Sequence, residues 1–148
     1  MCWISDHAEL LTAKHEVVVF KVCLQHIKTK KLVSYYFKEP YTLGKLKRQS
    51  IIVDKAGNEF VIESGLHCYN TNAFSCSKNL LVLNVAPYPH FYNMEGYVAV
   101  VVRGYIPKGA TYYLNEYHEI ATNKLVLTDI IDLPQHTLKW KTKNLKLD

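Results

Sequence analysis

Apolar residues gather in short blocks along this chain, and polar or turn-forming residues separate the blocks. Val17–Leu24 reads Val-Val-Val-Phe-Lys-Val-Cys-Leu, and β-branched enrichment over that length predicts a buried strand. The lysine-rich turn His26–Lys31 leads to a second strand over Leu32–Phe37, so the two are expected to pair as a hairpin. Glu39–Gly44 breaks the pattern with a proline and a glycine. Ile51–Val53 and Phe60–Ile62 flank Asp54-Lys55-Ala56-Gly57-Asn58, a second hairpin whose glycine can take positive φ. Tyr97–Ile106 is almost continuously apolar and reads as a central strand that ends at Pro107-Lys108-Gly109. Thr111–Leu114 and Leu125–Ile131 are further strands, with Asn115–His118 a turn.

Two segments read as short helices. Ala8–Ala13 follows the capping residues Ser5 and Asp6, and Ala73–Asn79 follows Asn70 and Thr71. Leu80–Val85 fits a strand or a helix equally, and Ala86–Asn93 is a proline-biased loop. The fold class expected is α+β: a mostly antiparallel sheet of six to seven short strands with one or two short helices. One globular domain over residues 1–137 and a basic tail over 138–148 fit the length of 148 residues. No apolar run approaches the roughly 20 residues that span a bilayer, so no membrane partner is expected.

Charge changes the picture in one respect. The net charge of +5 is uneven, with Lys28, Lys30, Lys31 and Lys38 in one cluster and Lys45, Lys47 and Arg48 in another. Lys139, Lys141, Lys143 and Lys146 mark the tail. Such a field attracts anions, phosphates included, although a solvated surface has the same composition. With only two arginines, sequence-specific nucleic-acid recognition is disfavoured relative to capture of a small phosphate ligand. The eleven tyrosines supply stacking area with a polar tip, or plain strand composition. The polar start Met1–His7 predicts no export, so the four cysteines are expected reduced in a cytoplasm.

Gly65-Leu66-His67-Cys68-Tyr69 concentrates the most chemistry in the shortest span. On a strand, His67 and Tyr69 share one face while Leu66 and Cys68 share the other. The pair suits nucleotide binding or acid–base work, and it equally suits a histidine tied to backbone beside a tyrosine at the core edge. A His–Tyr–Glu arrangement acting on NAD needs an acid, and nothing in the sequence selects between Glu116 and Glu119. Zinc is not expected, because Cys68 and Cys76 are spaced too far apart for a ligand pair. Cys68 with His67 fails as a nucleophile and base, since strand neighbours face opposite ways. Gly104–Gly109 is not a phosphate-binding loop.

The Met1-Cys2 start, Gly65-Leu66-His67-Cys68-Tyr69, Ile106-Pro107-Lys108-Gly109-Ala110-Thr111-Tyr112-Tyr113 and Thr122-Asn123-Lys124-Leu125 occur in a familiar order. The chain resembles small proteins of Bacteroidales-type bacteria and their phages. These carry Gly-Phe-His-x-Tyr, then Ile-Pro-Lys-Gly-x-x-Tyr-Tyr, then Ser-Asn before an aliphatic strand. Leu66 and Thr122 depart mildly from that pattern. The resemblance implies an origin and a fold, not a mechanism. A phage protein of this kind would sequester a nucleotide signal of host defence in the host cytoplasm.

The function expected is therefore capture of an anionic nucleotide-like ligand, without catalysis and without a cofactor or metal, in a homo-oligomer with pockets between subunits. The ligand-binding residues expected are His67, Tyr69, Arg103, Lys108 and Tyr112. The alternatives are an enzyme on a nucleotide or NAD-like substrate, and a domain that blocks a host protein through the loop Pro87–Asn93.

Overall fold

A computed structural model describes residues 3–34, 39–70 and 96–131. Among these residues the fold is all-β, which corrects the α+β expectation. The strands are β1 (Trp3–Ser5), β2 (Ala8–Thr12), β3 (Val17–His26), β4 (Leu32–Ser34), β5 (Pro40–Tyr41), β6 (Leu46–Arg48) and β7 (Ile52–Ala56). They continue as β8 (Glu59–Ser64), β9 (Leu66–Asn70), β10 (Tyr97–Ile106), β11 (Thr111–Asn115), β12 (Glu119–Thr122) and β13 (Lys124–Ile131). The expected helix over Ala8–Ala13 is the edge strand β2. A segment so short cannot offset the cost of nucleating a helix, whereas β11 offers it a ladder running from Thr111↔Thr12 to Asn115↔Ala8. The expected helix over Ala73–Asn79, the segment Leu80–Val85, the loop Pro87–Asn93 and the tail 138–148 lie outside the described residues.

Every described ladder is antiparallel. The large sheet follows the order β2-β11-β12-β9-β3-β10-β13-β6, and β4 joins β3 and β5 off that path. The strands β12 and β13 stand four places apart, yet only Asn123 separates them in the chain. A flat sheet would set them about 19 Å apart, and a one-residue link spans at most about 7 Å. The sheet therefore curls until β12 and β13 meet at Asn123. The Thr122 hydroxyl donates to Thr111 O at 2.9 Å and the Gln49 N–H donates to Asn123 O at 3.0 Å, which pins that corner.

Curling gives the sheet an inner and an outer face. Val19, Cys23, Leu66, Cys68, Val102, Ile106, Ile120, Leu125 and Leu127 point inward and form the main core. A second sheet, β1-β8-β7, lies over the outer face of β11 and β12. Trp3 and Ile62 pack there on Ala121, and Phe60 sits 5.3 Å from the Tyr113 ring. The hairpin β7–β8 turns at Gly57, whose φ of 68° is the positive value a two-residue hairpin loop demands. Among the described residues no helix is long and apolar enough to cross a membrane.

Candidate functional site

Strands β3 and β9 carry two different sets of side chains, one on each face. On β9, Leu66 and Cys68 are buried inward and His67 and Tyr69 lie half-buried on the outer face. The ladder registers then draw one line across the outer face. Glu119 stands opposite Tyr69, Tyr69 opposite Phe20, Phe20 opposite Arg103, and Arg103 opposite Asp129. The register thus selects Glu119 over Glu116 as the acid beside His67 and Tyr69. Glu116 instead sits in the turn after β11 and accepts a hydrogen bond from the Ser5 hydroxyl at 2.5 Å, which lowers its pKa.

The electrostatics of this line are close to neutral. Burial, and after it the Lys21 ammonium, pushes the His67 imidazole down from 6.5 to about 4, so it is uncharged at neutral pH. Burial raises the Glu119 carboxyl, and a hydrogen bond from Asn115 opposes that rise. The Arg103 guanidinium donates to both oxygens of Asp129, through Nε at 3.3 Å and Nη2 at 2.7 Å. The Thr128 hydroxyl donates to the same carboxylate at 2.7 Å. The Thr128 and Arg103 hydrogen bonds hold the Asp129 pKa below its usual range. Two of the five guanidinium N–H groups are used in this pair, and the carboxylate fixes the fork's orientation.

The inner face holds a different group. Lys21 alternates with Val19 and Cys23, so it points into the main core, where it stays only partly exposed. It sits where the neighbour of β3 changes from β9, paired at Val19 and Phe20, to β4, paired at Cys23–Gln25. Its ammonium donates to His67 O at 2.5 Å, crossing the gap between those two neighbours. It also lies 5.7 Å from the centre of the Tyr41 ring. The Lys47 ammonium stands at the same distance, 5.7 Å, from Tyr41. Lys47 further donates to Pro40 O at 3.4 Å and lies 3.9 Å from the Glu39 carboxylate.

Burial alone would lower the Lys21 pKa, but Tyr41, Cys23 and Cys68 around it reverse the direction and raise it. Burial raises Tyr41 as well, with Lys21 opposing. The Cys23 thiol is pushed up to about 11 and the Cys68 thiol to about 12, both by burial. At neutral pH the cluster therefore holds ammoniums beside protonated phenol and thiols. Roughly one Cys23 in ten thousand is thiolate at pH 7, which removes both cysteines as nucleophiles.

Of the expected ligand residues, the structure brings together His67, Tyr69 and Arg103 on the outer face. Tyr112 lies on the opposite side of the sheet, packed against the main core. Lys108 is exposed in the turn between β10 and β11, apart from both groups. Sequence reasoning missed Lys21 and Tyr41. The signal for Lys21 was present as the one charged residue within an apolar strand block. Tyr41 carried none, because Pro40 beside it read as a break.

The described residues contain no group of three or more His, Cys, Asp or Glu side chains able to hold a metal ion. No protein-family model matches this chain, no curated protein matches it, and no solved structure matches it.

Proposed function

We propose that this protein is a small phage-type binding module that captures an anionic, nucleotide-like ligand and thereby sequesters a host-defence nucleotide signal in the cytoplasm. The observation that carries this reading is the pair of ammoniums, Lys21 and Lys47, each 5.7 Å from the Tyr41 ring. Two cations fixed against a phenol by hydrogen bonds and packing meet phosphate oxygens with little reorganisation, which is where binding gains most from rigidity. Among the described residues the one carboxylate in ion-pair range of them is Glu39, at 3.9 Å from Lys47. Sequestration needs affinity and abundance rather than chemistry, and the protonated thiols offer no nucleophile.

The test is a thermal-shift screen against nucleotides, cyclic oligonucleotides, NAD and ADP-ribose derivatives, each recovered by chromatography afterwards. A ligand at a hundred times its dissociation constant stabilises the fold by about 2.7 kcal/mol. The shift is expected to vanish in Lys47→Met and in Lys21→Met, with the ligand recovered intact from the parent protein. No shift from any member of the panel overturns the reading.

One observation favours a second reading. Glu119 lies directly opposite Tyr69 on the face that also carries His67. That arrangement supports an enzyme acting on an NAD-like substrate. It predicts altered ligand at substoichiometric protein, abolished by Glu119→Gln and by His67→Ala and retained in Lys47→Met.

A further inference from the structure

The far end of the β3–β10 ribbon carries a feature that the capture reading does not use. The chain turns after His26 and returns as β4, and this turn holds Lys28, Lys30 and Lys31, all exposed. The turn is built rigidly. The His26 N–H donates to Lys31 O at 2.9 Å, and the Lys30 N–H donates to His26 O at 2.9 Å. The Lys28 and Thr29 N–H groups both donate to His26 Nδ1 at 3.2 Å. Gln25 Nε2 adds a bond to Lys30 O at 3.2 Å. Lys30 is held at a φ of 64°, so three ammoniums are presented from four consecutive residues on a fixed backbone.

Beside them stand two aliphatic side chains with no evident reason to face water. Ile27 is 50% exposed and Val98 is 45% exposed. Val98 pairs with Gln25, and the Ile27 N–H donates to Gly96 O at 2.9 Å, so the ladder runs on to Ile27. Alternation puts Ile27 and Val98 on one face of the ribbon end. Polyanions in general explain the lysines but not the aliphatic pair. A lipid surface explains both, since anionic headgroups attract the ammoniums and the acyl boundary accepts the aliphatics.

We infer that this turn docks the protein on an anionic bilayer surface, with Ile27 and Val98 entering the headgroup boundary and Lys28, Lys30 and Lys31 meeting lipid phosphates and carboxylates. A surface contact of this kind needs no membrane-spanning segment. It uses residues separate from Lys21, Tyr41 and Lys47, and it stands or falls without the capture reading.

The experiment is co-sedimentation of the full-length protein with vesicles of phosphatidylcholine alone and of phosphatidylcholine mixed with phosphatidylserine. Binding is expected to the mixed vesicles only, and to weaken with salt. The triple variant Lys28→Gln, Lys30→Asn, Lys31→Gln is expected to lose roughly a hundredfold in vesicle affinity. The asparagine keeps a residue that tolerates positive φ, so the turn survives. Ile27→Ser is expected to lose roughly tenfold with every lysine in place. Equal binding to both vesicle types overturns the inference, as does an unchanged affinity in either variant. So does a single-stranded oligonucleotide that binds through the same lysines while vesicles do not.

Discussion

Strands β3 and β10 run side by side from Tyr97↔His26 to Ile106↔Val17, and their two faces solve opposite problems. The inner face of β3 carries one charge, Lys21, and the protein keeps it beside the His67 carbonyl and the Tyr41 phenol, with no ion-paired carboxylate among the described residues. The outer face carries both signs, and there Arg103 and Asp129 cancel at the surface. A lone cation in a core stays charged only because its hydrogen-bond partners are fixed. A paired cation at a surface contributes little to stability and is held chiefly in orientation. The inner ammonium is thus the one that no carboxylate among the described residues neutralises, although residue type alone favoured the outer arginine.

The sharpest way to break the inner face is to crowd it. Gly104 is buried on β10 where that strand crosses β13 at an irregularity in the register. A Cβ built there would lie 2.3 Å from Val126 O and 3.0 Å from Leu127 Cα, both backbone atoms that cannot swing aside. Gly104→Ala is expected to lose about 3 kcal/mol or more by urea unfolding. A loss under about 1 kcal/mol would mean that β10 and β13 are not held together as tightly as this geometry requires.

The outer face responds to acid instead. His67 is lowered from 6.5 to about 4, so the unfolded chain takes up a proton that the folded chain refuses between those values. The unfolded state then binds more protons, and stability rises with pH through that window. The full contribution is present above about pH 6.5 and is lost as pH falls toward 4, reaching about 3 kcal/mol. His67→Gln removes the titrating group, and its urea midpoint is expected to drop less between pH 7 and 4.5 than the parent's. An identical drop in both proteins would show that burial does not hold His67 neutral.

How much of this was legible in the sequence depended on where each strand's partner lies. Val17–Leu24 and Tyr97–Ile106 announce themselves because the apolar run is nearly unbroken and each strand buries residues on both faces, Val19 and Phe20 on β3 and Val101 and Val102 on β10. The hairpin around Gly57 is equally plain, since its turn and both strands are local. In contrast β1, β2 and β6 are short strands whose partners β8, β11 and β13 lie far off in the sequence. No local pattern encodes that, and Ala8–Thr12 even imitates a capped helix. Alternation correctly separates His67 and Tyr69 from Cys68 along one strand. It cannot bring Glu119 to Tyr69, which takes the β12–β9 register, nor Tyr41 to Lys21, which takes the β4–β5 detour.

The smallest expected effect tests what the exposed pair is for. Arg103 and Asp129 face solvent, and such a pair is screened by water and salt. Arg103→Ala is therefore expected to leave the urea midpoint within error of the parent. The carboxylate should nonetheless report the change. The Asp129 pKa is lowered first by the Thr128 hydroxyl and then by Arg103, with burial opposing both. Followed by NMR titration, Asp129 should move up in Arg103→Ala and move up in Thr128→Val, since each variant removes a hydrogen bond to the carboxylate. If Arg103→Ala moves it more, the guanidinium is the main partner and the fork is held more tightly than this geometry implies. A larger move in Thr128→Val would make the Thr128 hydroxyl the main partner and leave the Arg103 fork the looser of the two contacts.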